Sequence, residues 1–154
     1  MSEPTAALPA TEERRLAAGL YNLVWTLLDA TGRTAADDDR IVPAAHASRY
    51  HWGQVGGPQE LAIGEWQCAR VYSVLGRAEP ALHHARRCLE IAAAGSVPDW
   101  LIASAHEGLA RAYAVAGQRE SALASRAAAE AALAKVIDVE DRQVVQDDLA
   151  SLPF

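Results

Sequence analysis

One pattern occurs twice in this chain, 41 residues apart, and it limits what the chain can fold into more than any other feature. Ala69, Arg70, Tyr72, Val74, Gly76, Glu79, Ala81 and Leu82 return as Ala110, Arg111, Tyr113, Val115, Gly117, Glu120, Ala122 and Leu123. An alanine-rich composition does not explain eight identities that include Tyr, Gly and Arg, so the chain carries an internal repeat. Within the first copy, Cys68, Ala69, Tyr72 and Leu75 fall on one face of a helix. Gly76 follows the last apolar turn, where a residue lacking a Cβ enters the left-handed region that costs other residues roughly 1–2 kcal/mol. A second helix opens near Ala78, with Pro80 in its first turn, and buries Ala81, Leu82, Ala85, Cys88 and Leu89. Helix pairs repeated along a chain bury their apolar faces by stacking, so the expected fold is all-α, an antiparallel helix-hairpin stack of about seven helices.

The remaining elements follow from their punctuation. Residues 1–10 hold two prolines and no periodicity, and are expected to form a loose, disordered tail ahead of a single domain over 11–154. The first hairpin is expected over about 12–55. Leu16, Leu20, Leu23, Val24, Leu27 and Leu28 line its first helix, and Thr34 with Asp37 makes a capping box at the start of the second. Pro43 lies inside that second helix, and a kink or restart near Val42 is expected. Gly32 stands to this hairpin as Gly76 and Gly117 stand to theirs, which makes it a degenerate first repeat. Gly56-Gly57-Pro58 is a turn, followed by hairpins over about 58–94 and 98–136. A last helix over about 139–150, capped by Asp138, is expected to close the open end of the stack with Val144, Val145 and Leu149, leaving Asp141, Gln143 and Asp147 in water.

The repeat resembles the tetratricopeptide (TPR) helix pair. Ala69, Tyr72, Gly76 and Ala81, and again Ala110, Tyr113, Gly117 and Ala122, match that family's small residue, aromatic, turn glycine and alanine. The spacing exceeds the family's 34 residues, Ala85 replaces its late aromatic, and its closing proline is displaced to Pro98. The stretch AHASRYHWGQVGGPQELAIGEWQCARVY also looks like part of small bacterial TPR-like proteins, which gives weight to His46, His51 and Trp66. The resemblance implies a binding groove lined by the first helix of each pair. With the three glycines as anchors, the groove positions are Asn22 and Thr26, Trp66 and Arg70, and Glu107 and Arg111. Arginines suit carboxylates and a tryptophan supplies a stacking wall, so a peptide, a partner protein or a small acidic ligand is expected there. The competing expectation is that Arg70 and Arg111 pair with Glu107 or Glu65 while Trp66 packs. On the groove reading, replacing both arginines by alanine leaves melting intact and abolishes capture.

No enzyme motif stands out. GxSxG, CxxC and a phosphate-binding glycine loop are missing, and no cofactor is implied. His46 and His51 lie about 140° apart around a helix, so they do not chelate one metal from a single helix. No metal site is expected unless His46 or His51 meets Glu65 and His83 across helices. The alternative function is a small helical enzyme in which His46, Tyr50, His51, Glu65 or Arg70 does acid and base work on a small molecule, with metal help if those ligands converge. A net charge of −6 argues against nucleic acid or an anionic membrane as partner, and the absence of any long apolar run makes the cytoplasm the default location. Cys68 and Cys88 are expected as buried core thiols. Apolar residues on outer faces leave room for a homodimer.

Overall fold

The computed structural model describes residues 7–154, which form seven helices and no strand. In chain order they are α1 (Ala10–Asp29), α2 (Ala35–Val55), α3 (Pro58–Val74), α4 (Ala78–Ala94), α5 (Asp99–Val115), α6 (Arg119–Leu133) and α7 (Val139–Ala150). The expected loose tail falls largely on residues 1–6, outside the described residues, while Ala10 already belongs to α1.

The stack has the order the repeat requires. Each helix from α1 to α6 packs on the next, α3 packs on α5, and α7 returns against α5 and α6. The core is therefore a string of clusters. Val24, Leu27, Ile41, Ala45, Cys68 and Val71 fill the space among α1, α2 and α3. Ala69, Ala81, Ala85, Leu109 and Ala112 do so among α3, α4 and α5, and Ala62, Cys88, Ala92, Leu101 and Ala105 extend that layer. Ala103, Ala110, Ala129, Val145, Leu149 and Leu152 join α5 and α6 to α7. Alanine at so many contacts shortens the distance between helix axes, and the larger residues fill the gaps left at the edges.

The two copies of the repeat end their first helices identically. Arg77 N–H reaches back to Tyr72 carbonyl and Gln118 N–H to Tyr113 carbonyl, both at 2.9 Å, around Gly76 and Gly117 with φ of 72°. This six-to-one bond across a left-handed glycine satisfies carbonyls that the helix end leaves without partners.

Three details depart from the sequence reading. α2 runs unbroken through Pro43; both Pro43 and Asp39, whose carbonyl loses its helical partner, are exposed to water. α6 stops at Leu133, short of Val136. Val144 of α7 is 62% exposed, whereas Val145 and Leu149 are buried, so α7 lies along the stack with one narrow apolar edge inward.

Candidate functional site

Side chains from α1, α3, α5 and α7 enclose an open cleft of about 380 Å³. Tyr21 and Trp25 come from α1, Ile63 and Trp66 from α3, Trp100, Leu101 and Ser104 from α5, and Asp141, Val144 and Asp148 from α7. The volume lies in the range of small-molecule sites, and its walls are mostly apolar with a few polar groups, as such sites require. Tyr21 meets Trp25 edge to face with ring centroids 6.3 Å apart, and Trp25 lies 5.7 Å from Trp66 in a tilted pair. Burial pushes the Tyr21 hydroxyl above its ordinary pKa.

Beside this cleft a charged network surrounds Glu107, which is 0% exposed. Its carboxylate accepts from Arg111 Nε at 2.8 Å and Nη2 at 2.5 Å, from Arg70 Nη2 at 3.5 Å, and from the Trp66 indole N–H at 3.2 Å. Arg70 also donates to Asp148 Oδ1 at 2.9 Å, and Arg111 to the Asp148 carbonyl at 3.0 Å and Ser151 Oγ at 2.7 Å. The Arg70 guanidinium lies 4.9 Å from the Trp66 ring centroid and 5.7 Å from that of Trp25. Gly108 permits this arrangement: a Cβ there would stand 3.0 Å from Trp66 Cδ1.

Trp66, Arg70, Glu107 and Arg111 are thus brought together. The arginines, however, bond to Glu107 and to α7, so their guanidinium groups do not present themselves to an incoming anion. α7 lies against the face where an open groove was expected.

Asn22 and Thr26 do not join them. Both are exposed on α1, and Thr26 Oγ1 donates to the Asn22 carbonyl 3.1 Å away in its own helix. Tyr21 and Trp25, each one residue earlier, take the places expected of them. The reason is the turn. α3 ends at Val74, two residues before Gly76, whereas α1 ends at Asp29, three before Gly32, with Ala30 in extended conformation. One extra turn residue shifts the register by one, about 100° around the helix. Aligning helix ends rather than glycines would have found Tyr21 and Trp25.

Comparison with family models, curated proteins and solved structures finds no match for this chain.

The histidines separate into two groups. His51 Nδ1 lies 2.5 Å from Glu13 Oε2 and fastens α2 to α1, while Tyr50 is exposed. His46 joins a second network through its Nε2, 2.9 Å from the Tyr72 hydroxyl, and its ring lies 5.1 Å from that of His84. His84 Nδ1 meets Glu65 Oε2 at 2.6 Å, and Arg49 Nε donates to Glu65 Oε1 at 3.0 Å. Burial alone would raise the Glu65 pKa, but the His84 hydrogen bond and the charges of His84 and Arg49 outweigh it and hold the carboxyl below the ordinary range. Burial, with the nearby His84, pushes His46 down. The histidine that reaches Glu65 is His84; His83 is exposed. Among the described residues no group of three His, Cys, Asp or Glu side chains could hold a metal.

Sequence reasoning missed Tyr21, Trp25, Trp100, His84 and Asp148. For Trp100 the only signal was its place at a helix start, and for Asp148 there was none.

Proposed function

We propose that this protein is a TPR-like binding module that holds a small molecule in the aromatic cleft between α7 and the α1–α3–α5 face. The observation that carries this is the convergence of Tyr21, Trp25, Trp66 and Trp100 on one open cavity instead of on a filled core. Four aromatic side chains turned toward open space forgo packing contacts that a filled core would give them, and a bound ligand restores those contacts. The repeat pattern supports a TPR-like ancestry, and the identical glycine turns after α3 and α5 agree with it. A small ligand fits this geometry better than a long peptide because α7 occupies part of the face. An acidic ligand would have to compete with Glu107 and Asp148 for Arg70 and Arg111. Two buried free thiols suit a reducing, cytoplasmic compartment.

The test is capture of metabolites by the purified protein, read by mass spectrometry, beside a Val144→Trp variant. Val144 lines the cleft yet is exposed, so a larger side chain there blocks the cavity without disturbing the core. A compound enriched by the native protein and lost from the variant, with unchanged melting, is the expected result. Equal enrichment by both would remove the cleft from consideration.

The enzyme reading draws support from the His84–Glu65 pair and from His46, whose lowered pKa keeps it a neutral base near pH 7. It would be favoured if His84→Ala and His46→Ala abolished turnover of a captured compound while leaving its binding unchanged.

A further inference from the structure

The cleft's chemistry also indicates which ligand it takes. We propose that it receives a small organic ammonium cation, with the aromatic rings as walls and the Asp141 carboxylate as counter-ion; this rests on the cleft being the ligand site.

Three observations lead there. First, the walls are rings whose π faces attract cations: three tryptophans, the strongest such partner, and one tyrosine. The molecule already uses this property, because Arg70 lies over Trp66 at 4.9 Å and over Trp25 at 5.7 Å. Second, the polar rim from α7 is anionic. Asp141, Val144 and Asp148 lie along one side of α7, three and four residues apart, and all three line the cavity. Asp148 is engaged by Arg70. Asp141 is not: its backbone N–H bonds to the Asp138 cap at 2.9 Å, and among the described residues no cationic side chain pairs with its carboxylate. It is half-buried in the lining of a largely apolar cavity, where a charge interacts more strongly than in open water. Third, the positive groups nearby are spoken for. Arg70 and Arg111 face Glu107 and Asp148, so two guanidinium groups meet two carboxylates and Asp141 remains in excess. An anion would meet the Asp141 carboxylate and no cationic side chain in the lining, whereas a neutral ligand would leave that carboxylate partly desolvated and without a counter-charge.

The cavity volume suits a cation with an aromatic or branched aliphatic body better than a bare ammonium ion, which would leave the rings uncovered.

The probe is benzyltrimethylammonium, compared with neopentylbenzene, its neutral carbon isostere, and with phenylacetate as the anion. Binding is followed by tryptophan fluorescence, since three of the chain's four tryptophans line the cleft, and by calorimetry. The cation is expected to bind saturably, at least about tenfold tighter than either comparator. Asp141→Asn, which preserves the backbone contact to Asp138, is expected to weaken the cation by about tenfold with unchanged circular dichroism and to leave the neutral isostere unaffected. Equal binding of cation and isostere, or indifference to Asp141→Asn, overturns the cation inference while the cleft reading stands. Failure of all three probes, with native melting and with no metabolite lost on Val144→Trp, overturns both.

Discussion

Glu107 sits where three elements meet, and removing its charge should be costly. Trp66, Arg70 and Arg111 all donate to one carboxylate that is 0% exposed. Glu107→Gln keeps the shape but leaves two guanidinium groups short of a counter-charge, and urea unfolding should show a loss of about 3 kcal/mol. Arg70 and Arg111 depend on Glu107 in the same way, against the expectation that melting survives their loss. Replacing Arg70 and Arg111 together strands a buried carboxylate, so melting should fall as well, and the double variant is not a clean test of binding. His46 and His106 are both pushed below the ordinary histidine pKa of about 6.5 by burial, His46 also by His84. The unfolded chain then takes up protons that the folded chain refuses. Stability is therefore full above about 6.5 and falls as pH drops from there toward the folded values. Melting curves between about pH 7 and pH 5 should show this decline, and His46→Gln with His106→Gln should flatten it. Glu65, held low, acts in a separate window, losing its contribution only as pH falls through its own folded value below about 4.3. Cys68 and Cys88, pushed by burial to about 12, should resist thiol reagents in the native protein and react together once guanidinium unfolds it.

At the scale of elements, glycine turns set the register on which the site depends. A Cβ at Gly76 or Gly117 would meet nothing within 4 Å, so the cost of substitution there is conformational and not steric. Gly76→Ala should lower stability by about 1 kcal/mol, with Gly76→Asn milder because asparagine tolerates the left-handed region. Chemical denaturation of the two variants measures both. Gly108→Ala acts differently, through the 3.0 Å approach to Trp66, and should displace the indole from Glu107 with a shift in tryptophan emission. Helix positions, the Thr34–Asp37 capping box and the Asp138 cap were legible in the sequence because each is set by neighbours in the chain. The placing of Asn22 and Thr26 in the groove failed for an equally local reason. The extra residue after α1 adds no apolar signal of its own, so counting from Gly32 rotated the helix by one position.

The whole molecule turns on α7. Its buried edge is Val145 and Leu149, while Asp148 and Ser151 hold Arg70 and Arg111. Leu149→Ala should cost roughly 2–3 kcal/mol and weaken any ligand in the cleft, since one helix supplies both core contacts and the acidic rim. A calorimetric melt with and without ligand separates the two effects. The sequence by itself determined the helical class, the repeat and the turns, because these follow from periodicity and from residues at fixed offsets in equivalent helices; that Trp66, Arg70, Glu107 and Arg111 share a face was what the TPR resemblance implied, and the hydrogen bonds onto Glu107 bring the four together. Only the tertiary structure decided that α7 lies against that face, that Asp148 pairs with Arg70 some 78 positions away, and that Trp100 joins Tyr21, Trp25 and Trp66 around a cavity. Such contacts depend on how a terminal helix settles on the stack. A short amphipathic edge says that α7 packs somewhere, and the surface it meets says where.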